Sequence, residues 1–453
     1  MQIVKRAFLL CLICVCASCG SGSSDSDSSS NETGATSKVT AEKITSTRHA
    51  FASLLSDDTV ITWGRATSGG DSSSVQHLLV DIVDIFAGSG SFAALKEDGT
   101  VVTWGNNIVN NAEDVQSELY DIVKIVPGPG YAALRSDKTV ITWGNSNSPE
   151  EFSIITGVEA LVASAGSFSA IQTDGTVVSW GGLYQMDGEY GNYEEYEELA
   201  KDPVLVVSDE IGGYAAILAD GDVVTWGHPT SIQNFDADRV KGATHIFSAA
   251  VGFVATFPDG RAEHWGLKWP QYRGAPPDVL EGVMDVVAGG FGNVSVLLSD
   301  GSVISWGSYG EQVGSFDERS WEQLYNFPRT LSDISKIYSR PNNDVFTAVD
   351  GSGNAYTWGL VSTENAGILA TNVKDIVMID WAVAALDGGG SVTYWGGVDG
   401  IERNQVTFDP LIESMLFDIK SIYASGHAFS AIKSDGTIIT WGNYVDDGVV
   451  EFH

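Results

Sequence analysis

The dipeptide Trp-Gly recurs ten times in this 453-residue chain, and no other feature constrains the fold as strongly. Successive pairs lie 37 to 52 residues apart, and no linker interrupts the series. Near-regular units of about 40 residues are typical of propellers and solenoids, in which one repeat buries its apolar face only against its neighbours. The sequence therefore predicts one continuous array instead of separate domains. The ten tryptophans are Trp63, Trp104, Trp143, Trp180, Trp226, Trp265, Trp306, Trp358, Trp395 and Trp441.

Each unit predicts three short β-strands, as residues 82–88, 91–96 and 100–104 illustrate. The last of these runs has β-branched residues on both faces, which favours sheets stacked radially, with each Trp filling the gap between two neighbours. An Asp stands at the turn before it in every unit, followed by Gly in eight units and by Asp58 or Lys138 in the other two. Asp-Gly predicts a hairpin with a type I′ turn. These aspartates are Asp57, Asp98, Asp137, Asp174, Asp220, Asp259, Asp300, Asp350, Asp387 and Asp435.

The run of residues 87–105, with its Ala-Gly, Phe-Ala-Ala-Leu-Lys, Asp-Gly and Thr-Val-Val-Thr-Trp-Gly elements, resembles the repeat of the regulator-of-chromosome-condensation family. The resemblance extends roughly from Lys43 to Gly442, and the short repeat length is more similar to the compact secreted branch that includes a bacterial β-lactamase-inhibitor propeller than to the longer eukaryotic blades. It implies an all-β fold, a β-propeller of ten tandem repeats. Seven blades are usual for the family, so a blade count from seven to ten stays open.

The amino terminus has the features of an export signal. Lys5 and Arg6 precede an apolar run, residues 7–17, which is shorter than the roughly 20 residues of a membrane-spanning helix and suits the apolar region of a secretion signal. The sequence Cys16-Ala17-Ser18-Cys19-Gly20 resembles the lipobox of bacterial lipoproteins, which implies lipidation of Cys19. Cys16 stands where the pattern usually has Leu or Val, and an ordinary cleaved signal is the alternative.

These features predict three parts of the chain. We expect a lipoprotein signal peptide at residues 1–18, a flexible Ser/Gly/Asp tether at residues 19–38 and the propeller at residues 39–453. The expected location is the bacterial cell envelope, where the protein is lipid-anchored to a membrane and faces the periplasm or the cell exterior. The lipid anchor is the only membrane contact that we expect.

Charge and composition argue against several functions. The formal net charge of −35 disfavours binding to nucleic acid. The seven histidines have no metal-ligand spacing, and the calcium-like segment 350–354 lacks a carboxylate at its twelfth position, Val361. A nucleophile motif followed by a helix is absent. We therefore expect a protein that is not an enzyme and that uses no metal and no cofactor.

The segments that follow each Trp-Gly vary in length, and variable loops on one rim of a rigid scaffold are usual binding sites. Their aromatic residues lie among many glutamates, which favours a protein partner with a basic surface. Aromatic faces also stack on sugars, so a glycan partner, and a carbohydrate-binding or carbohydrate-active propeller, is the alternative. Packing over neighbouring sheets would also explain these aromatics. Guanine-nucleotide exchange, known in eukaryotic relatives, is disfavoured by the export signal. The predicted partner-binding residues are Tyr184, Tyr190, Tyr193, Tyr196, Trp269, Tyr272, Tyr309, Trp321 and Tyr325.

Overall fold

Ten antiparallel sheets follow one another along the described part of the chain, one for each Trp-Gly pair. Each sheet is built by one contiguous stretch of sequence, and four of the ten carry a fourth strand outside the third. The predicted all-β fold is confirmed. The computed structural model describes residues 38–106, 112, 115–144, 154–164, 166–183, 191–196, 199–249, 251–266, 280–289, 293–306, 331–340, 345–359, 368–396, 410–443, 445 and 448–450.

The first five sheets comprise strands β1 to β17. Sheet 1 contains β1 Ala41–Ser46, β2 Ala50–Leu55 and β3 Val60–Gly64; sheet 2 contains β4 Ile82–Ala87, β5 Ser91–Lys96 and β6 Val101–Gly105; sheet 3 contains β7 Ile122–Pro127, β8 Tyr131–Arg135, β9 Val140–Trp143 and β10 Ile154–Ile155; sheet 4 contains β11 Val158–Ala163, β12 Ser167–Gln172, β13 Val177–Leu183 and β14 Gly191–Tyr196; sheet 5 contains β15 Pro203–Ser208, β16 Gly213–Leu218 and β17 Val223–Gly227.

The second five sheets comprise strands β18 to β34. Sheet 6 contains β18 His245–Ser248, β19 Gly252–Thr256, β20 Arg261–Gly266 and β21 Leu280–Glu281; sheet 7 contains β22 Val283–Ala288, β23 Val294–Leu298 and β24 Val303–Trp306; sheet 8 contains β25 Ile334–Ser339, β26 Val345–Asp350 and β27 Ala355–Gly359; sheet 9 contains β28 Val373–Ile379, β29 Ala382–Asp387 and β30 Val392–Gly396; sheet 10 contains β31 Ile419–Ala424, β32 Ala428–Lys433, β33 Ile438–Gly442 and β34 Gly448–Val450.

Helical structure in the described residues is limited to single turns between sheets. None of these helices is long and apolar enough to cross a membrane. They are the α-helices α1 Ala237–Val240 and α2 Pro410–Glu413, and the 3₁₀ turns Ala66–Ser68, Gln76–Leu78 and Gln116–Glu118.

The hairpin between the second and third strands is a type I turn followed by one left-handed residue, so the predicted type I′ turn is wrong. In sheet 2 the N–H of Gly99 donates to Lys96 O at 3.0 Å, and Gly99 alone has positive φ, 79°. The Asp98 carboxylate accepts from the N–H of Thr100 at 2.9 Å, which explains why Asp occupies this position. Asp58 and Lys138 take the left-handed position of the glycine, with φ of 61° and 70°.

In sheets 8 and 9 the Asp carboxylate accepts from the equivalent backbone N–H, but the Asp occupies a different position in the turn. Asp350 and Asp387 lie two residues earlier in their turns, and the left-handed residues are Gly353 and Gly390. Asp350 Oδ1 nevertheless accepts from the N–H after the left-handed glycine, that of Asn354, at 2.9 Å. The ten aspartates predicted at one turn position therefore occupy two, although both serve the same backbone donor.

The third-strand Trp residues whose side chains the structure describes pack between neighbouring sheets, as predicted. Trp180 pairs directly with Phe168 on the second strand, and their rings stack with centroids 5.4 Å apart. It belongs to a core shared by sheets 3 and 4 that also contains Ala132 and Leu161. Tyr131 and Tyr214 take the place of Phe in sheets 3 and 5, where their hydroxyls bond to the preceding sheet. An aromatic residue pairs with the third-strand Trp in eight of the ten sheets, and Val294 and Val383 take its place in sheets 7 and 9.

The sheets close into a ring. The described residues form ten apolar cores, each shared by two consecutive sheets, whereas an open row of ten sheets would have nine. The tenth core joins sheet 10 to sheet 1 and contains Phe51 and Ile438. Ser46 Oγ of sheet 1 donates to Ala424 O of sheet 10 at 2.8 Å, the same bond that Ser208 makes to the sheet before its own. The architecture is that of a propeller.

The ring has two chemically different rims. First strands of consecutive sheets contact one another, so they are innermost. We call the end with the turns between second and third strands the Asp-turn rim. The opposite end, with the turns between first and second strands and the Trp-Gly pairs, is the Trp-Gly rim. The described segments 65–81 and 228–243 run from the Trp-Gly rim to the Asp-turn rim, so they span both rims and do not stay on one as expected.

Candidate functional site

The Asp-turn rim exposes apolar side chains because most first strands bulge there. Pairing shifts register between the first and third residue of the strand, and the second residue is left unpaired and turned outward. In four sheets this residue is apolar and between 50% and 71% exposed. These residues are Val83, Val123, Val204 and Met284.

Sheets 2 and 3 combine two such residues with neighbouring exposed apolar side chains. Val80 and Tyr120, which lie two residues before their first strands, add to these, and Leu78 lies close in sequence; each is at least 40% exposed. We call the set Leu78, Val80, Val83, Tyr120 and Val123 the apolar arc. An apolar surface framed by polar groups is typical of a protein-binding site.

Carboxylates flank the apolar arc. Asp81 and Asp121 directly precede the two first strands with φ of 57° and 53°, and Asp57, Asp58 and Asp98 lie on the adjacent turns, all exposed. Hydrogen bonds from the hydroxyl and N–H of Thr100 lower the pKa of Asp98, so its negative charge persists under mildly acidic conditions. Exposed carboxylates therefore border the arc, and the guanidinium group of Arg135 lies over the Tyr120 ring, 4.0 Å from its centroid.

The Trp-Gly rim carries a different cluster where the ring closes. Arg48 Nη2 lies 3.0 Å from Asp380 Oδ2, and Arg340 Nε lies 3.5 Å from Asp380 Oδ1. Arg340 Nη1 also donates to Met378 O at 2.6 Å and to Ser425 O. These bonds join the turns of sheets 8, 9, 10 and 1. One carboxylate thus serves two guanidinium groups, and the cluster is net positive on a strongly acidic protein.

Two histidines complete this cluster. His49 stacks on His427 with ring centroids 4.5 Å apart, and Trp381 meets His427 edge-on at 4.8 Å. Burial lowers the pKa of His49 to about 4, helped by His427 and the neighbouring arginines and opposed by Asp380. Burial also lowers the pKa of His427, although Asp380 opposes it. Both imidazoles are therefore neutral at pH 7.

The lowered pKa values of the two histidines predict that the stability of the folded protein falls in acid. Because their folded pKa values lie below the ordinary value near 6.5, the unfolded chain takes up these protons first. Their contribution to stability is complete above pH 6.5 and declines as the pH falls toward 4. We expect the His49→Asn/His427→Asn variant to lose less thermal stability than the wild type between pH 7 and 5, measured by circular dichroism. The matched control is the exposed His77→Asn; an equal acid loss in both variants would refute the assignment.

The predicted site residues lie almost entirely outside the described residues. Tyr193 and Tyr196 are on β14, where they pair with Trp180 and Val177 of β13, so they belong to an outer strand and not to a loop. The other predicted partner-binding residues, and Cys19, are not among the described residues: Tyr184, Tyr190, Trp269, Tyr272, Tyr309, Trp321 and Tyr325. Within the described ranges, no group of three or more His, Cys, Asp or Glu could hold a metal ion.

Both rim features were missed in the sequence, although signals existed. The turns before the second strand mostly carry small residues, such as 88–90 and 128–130, so Arg48-His49 and Gly426-His427 depart from the pattern. The adjacent apolar pairs Ile82-Val83 and Ile122-Val123 depart from strict alternation. A bulge explains this departure, but only the pairing register reveals it.

Comparisons with known proteins agree with the repeat. A family model described as the regulator of chromosome condensation (RCC1) repeat matches residues 82–110. A search of curated proteins finds no match. Prp20p from Saccharomyces cerevisiae, in a structure reported with its binding to Gsp1p and histones, is 15% identical over 80% of this chain and 94% of its own, with a TM-score of 0.34.

Two further solved structures give similar values. Yeast RCC1 (Prp20) with bound Kap60 is 14% identical over 97% of this chain and 91% of that one, with a TM-score of 0.34. The ectodomain of the Physcomitrella patens receptor kinase CR4 is 16% identical over 65% and 78%, also with a TM-score of 0.34. The architecture assigned above rests on the sheets and their packing. Residues 82–110 thus match the RCC1 repeat. The chain to which they belong forms an all-β propeller.

Proposed function

We propose that this protein is a non-enzymatic binding scaffold that recognises a basic, partly apolar protein surface through the Asp-turn rim. The apolar arc, flanked by exposed carboxylates, is the observation that carries the proposal. Apolar contacts would supply affinity, and the carboxylates would select a basic partner and speed its association. The described segments 65–81 and 228–243, which follow Trp-Gly pairs, reach this rim.

The amino-terminal sequence supports a location for this scaffold. A lipid anchor on Cys19, followed by the polar tether of residues 20–38, would hold the ring at a bacterial membrane in the envelope. Such a tether leaves the ring free to turn either rim toward a partner. Replacement of Cys19 by Ser should then move the protein from the membrane fraction to the soluble fraction.

The apolar arc can be tested by capturing partners from envelope extracts with the full-length protein in mild detergent. We expect the Val83→Asp/Val123→Asp variant to reduce recovery of the partner at least tenfold, because each change places a desolvated charge in the contact. Recovery by the wild type should also fall as salt rises. The matched control is Val449→Asp, which changes an equally exposed valine on the outer strand of sheet 10. Equal recovery by both variants would contradict the proposal.

A further inference from the structure

A pocket of about 530 Å³ opens at the Trp-Gly rim between sheets 1 and 2, whereas the apolar arc lies at the Asp-turn rim. This volume lies within the roughly 300–1,000 Å³ of small-molecule sites. The turns before the second strands and the ends of the third strands form its walls. Its lining residues are His49, Arg65, Thr67, Ser68, Ser89, Gly90, Gly105 and Asn106.

The described residues that line the pocket carry no carboxylate, although the chain as a whole is strongly acidic. These described residues offer a guanidinium group, an amide, three hydroxyl groups and an imidazole, and no large apolar side chain is among them. A planar guanidinium matches a carboxylate in a paired, charge-assisted geometry. Hydroxyl and amide groups suit a ligand that carries several hydroxyls. The lining thus selects a small hydroxylated anion over an apolar or cationic ligand.

The surroundings strengthen this selection. Arg48 adjoins His49, and the nearby acidic group, Asp380, already contacts Arg48 and Arg340. His49 is neutral at pH 7 because burial and adjacent positive charges lower its pKa to about 4. Arg65 is therefore the cation that lines the pocket at neutral pH.

Arg65 is specific to this one interface. It directly follows the Trp-Gly pair of sheet 1, and none of the other nine pairs is followed by Arg or Lys. The corresponding residues are Asn106, Asn145, Gly182, His228, Leu267, Ser308, Leu360, Gly397 and Asn443. The repeat itself therefore does not require a cation at this position.

From this geometry we propose that the pocket binds a small hydroxylated carboxylate with the chemistry of a uronic acid, and that Arg65 holds the carboxylate. The site lies apart from the protein-binding surface proposed above and does not depend on it. Thr67, Ser89 and Asn106 would contact the hydroxyl groups of the ligand. The protein would then bind an acidic sugar on the Trp-Gly rim and a protein partner on the Asp-turn rim.

Isothermal titration of the full-length protein with D-glucuronate tests the proposal. We expect one site, and we expect Arg65→Gln to weaken binding at least tenfold because the charge-assisted pair is lost. Arg239→Gln removes the same charge from an exposed residue of α1 and should leave the affinity within twofold. Glucose and the methyl ester of glucuronate test whether the carboxylate is read. Equal binding of either neutral sugar, or no binding of glucuronate, would overturn the proposal.

Gly90 provides a second, isosteric pair of variants. A Cβ at Gly90 would lie 3.6 Å from Asn106 Cβ, an ordinary contact, so a side chain can be added at the pocket without a clash. Gly90→Asp should abolish glucuronate binding by repulsion, whereas Gly90→Asn should retain most of it. Similar losses in both would mean that the pocket does not select by charge. Tighter binding of inorganic phosphate than of glucuronate would overturn the carboxylate assignment. Partner capture at the Asp-turn rim should be unchanged in all of these variants.

Discussion

Replacement of Trp180 by alanine should lower the free energy of unfolding by about 3–5 kcal/mol, the usual cost of emptying a large buried aromatic site. Trp180 is fully buried between sheets 3 and 4 and stacks on Phe168. The surrounding β-sheets are fixed by their ladders and cannot collapse into the space, so most of the cavity should persist. Equilibrium denaturation in guanidinium chloride measures the change, with the exposed Val449→Ala as the control. A loss below about 1 kcal/mol would show that the Trp is not part of the core.

A finer comparison separates apolar packing from hydrogen bonding at the same repeat position. Trp226 Nε1 donates to Ser169 Oγ at 2.9 Å, whereas Trp180 Nε1 is buried without a hydrogen-bond partner in the described structure. Trp226→Phe should therefore cost about 1 kcal/mol more than Trp180→Phe, the usual net value of one such bond. Equal costs would assign the whole effect of both substitutions to packing.

The repeat made the sheets and their cores predictable, because the same residue types return at the same positions. Trp180 could be placed between two sheets from the pattern of one unit, and the same reasoning extended to the other units. The turn geometry was less accessible. Asp-Gly is compatible with several hairpins, and only the bond from Gly99 N–H to Lys96 O decides between them.

The candidate sites were harder to predict, since they depend on contacts between distant units. Arg48 and Asp380 are 332 residues apart and meet only because the ring closes. The apolar arc results from bulges that turn Val83 and Val123 outward, and the adjacent apolar pairs in the sequence do not show which member of each pair is exposed. The binding residues predicted from the sequence were the aromatic residues of the variable segments. Their contribution to binding can be tested by substitution.

Deletion of one sheet should have a large effect on stability. Each sheet is formed by its own stretch of chain, and contacts between neighbouring sheets close the ring. Removal of residues 410–453 would delete sheet 10 and expose the apolar faces of sheets 9 and 1, including Ile379 and Phe51. Two of ten cores would be lost at once. We expect this truncated protein to lose its cooperative thermal transition and to aggregate.

A circular permutant is the matched test of closure, since it breaks the chain but keeps all ten cores. Residue Val450 pairs with Ile438, and Gly436 packs against Thr40, so both ends of the ring lie on the Asp-turn rim and a Gly/Ser linker can join them. New termini fit between sheets 1 and 2 at Ser73-Ser74, which are exposed. This permutant should melt within a few degrees of the wild type. If it unfolded like the truncation, continuity of the chain and not closure would stabilise the fold; if the truncation melted normally, sheets 9 and 1 would not need sheet 10.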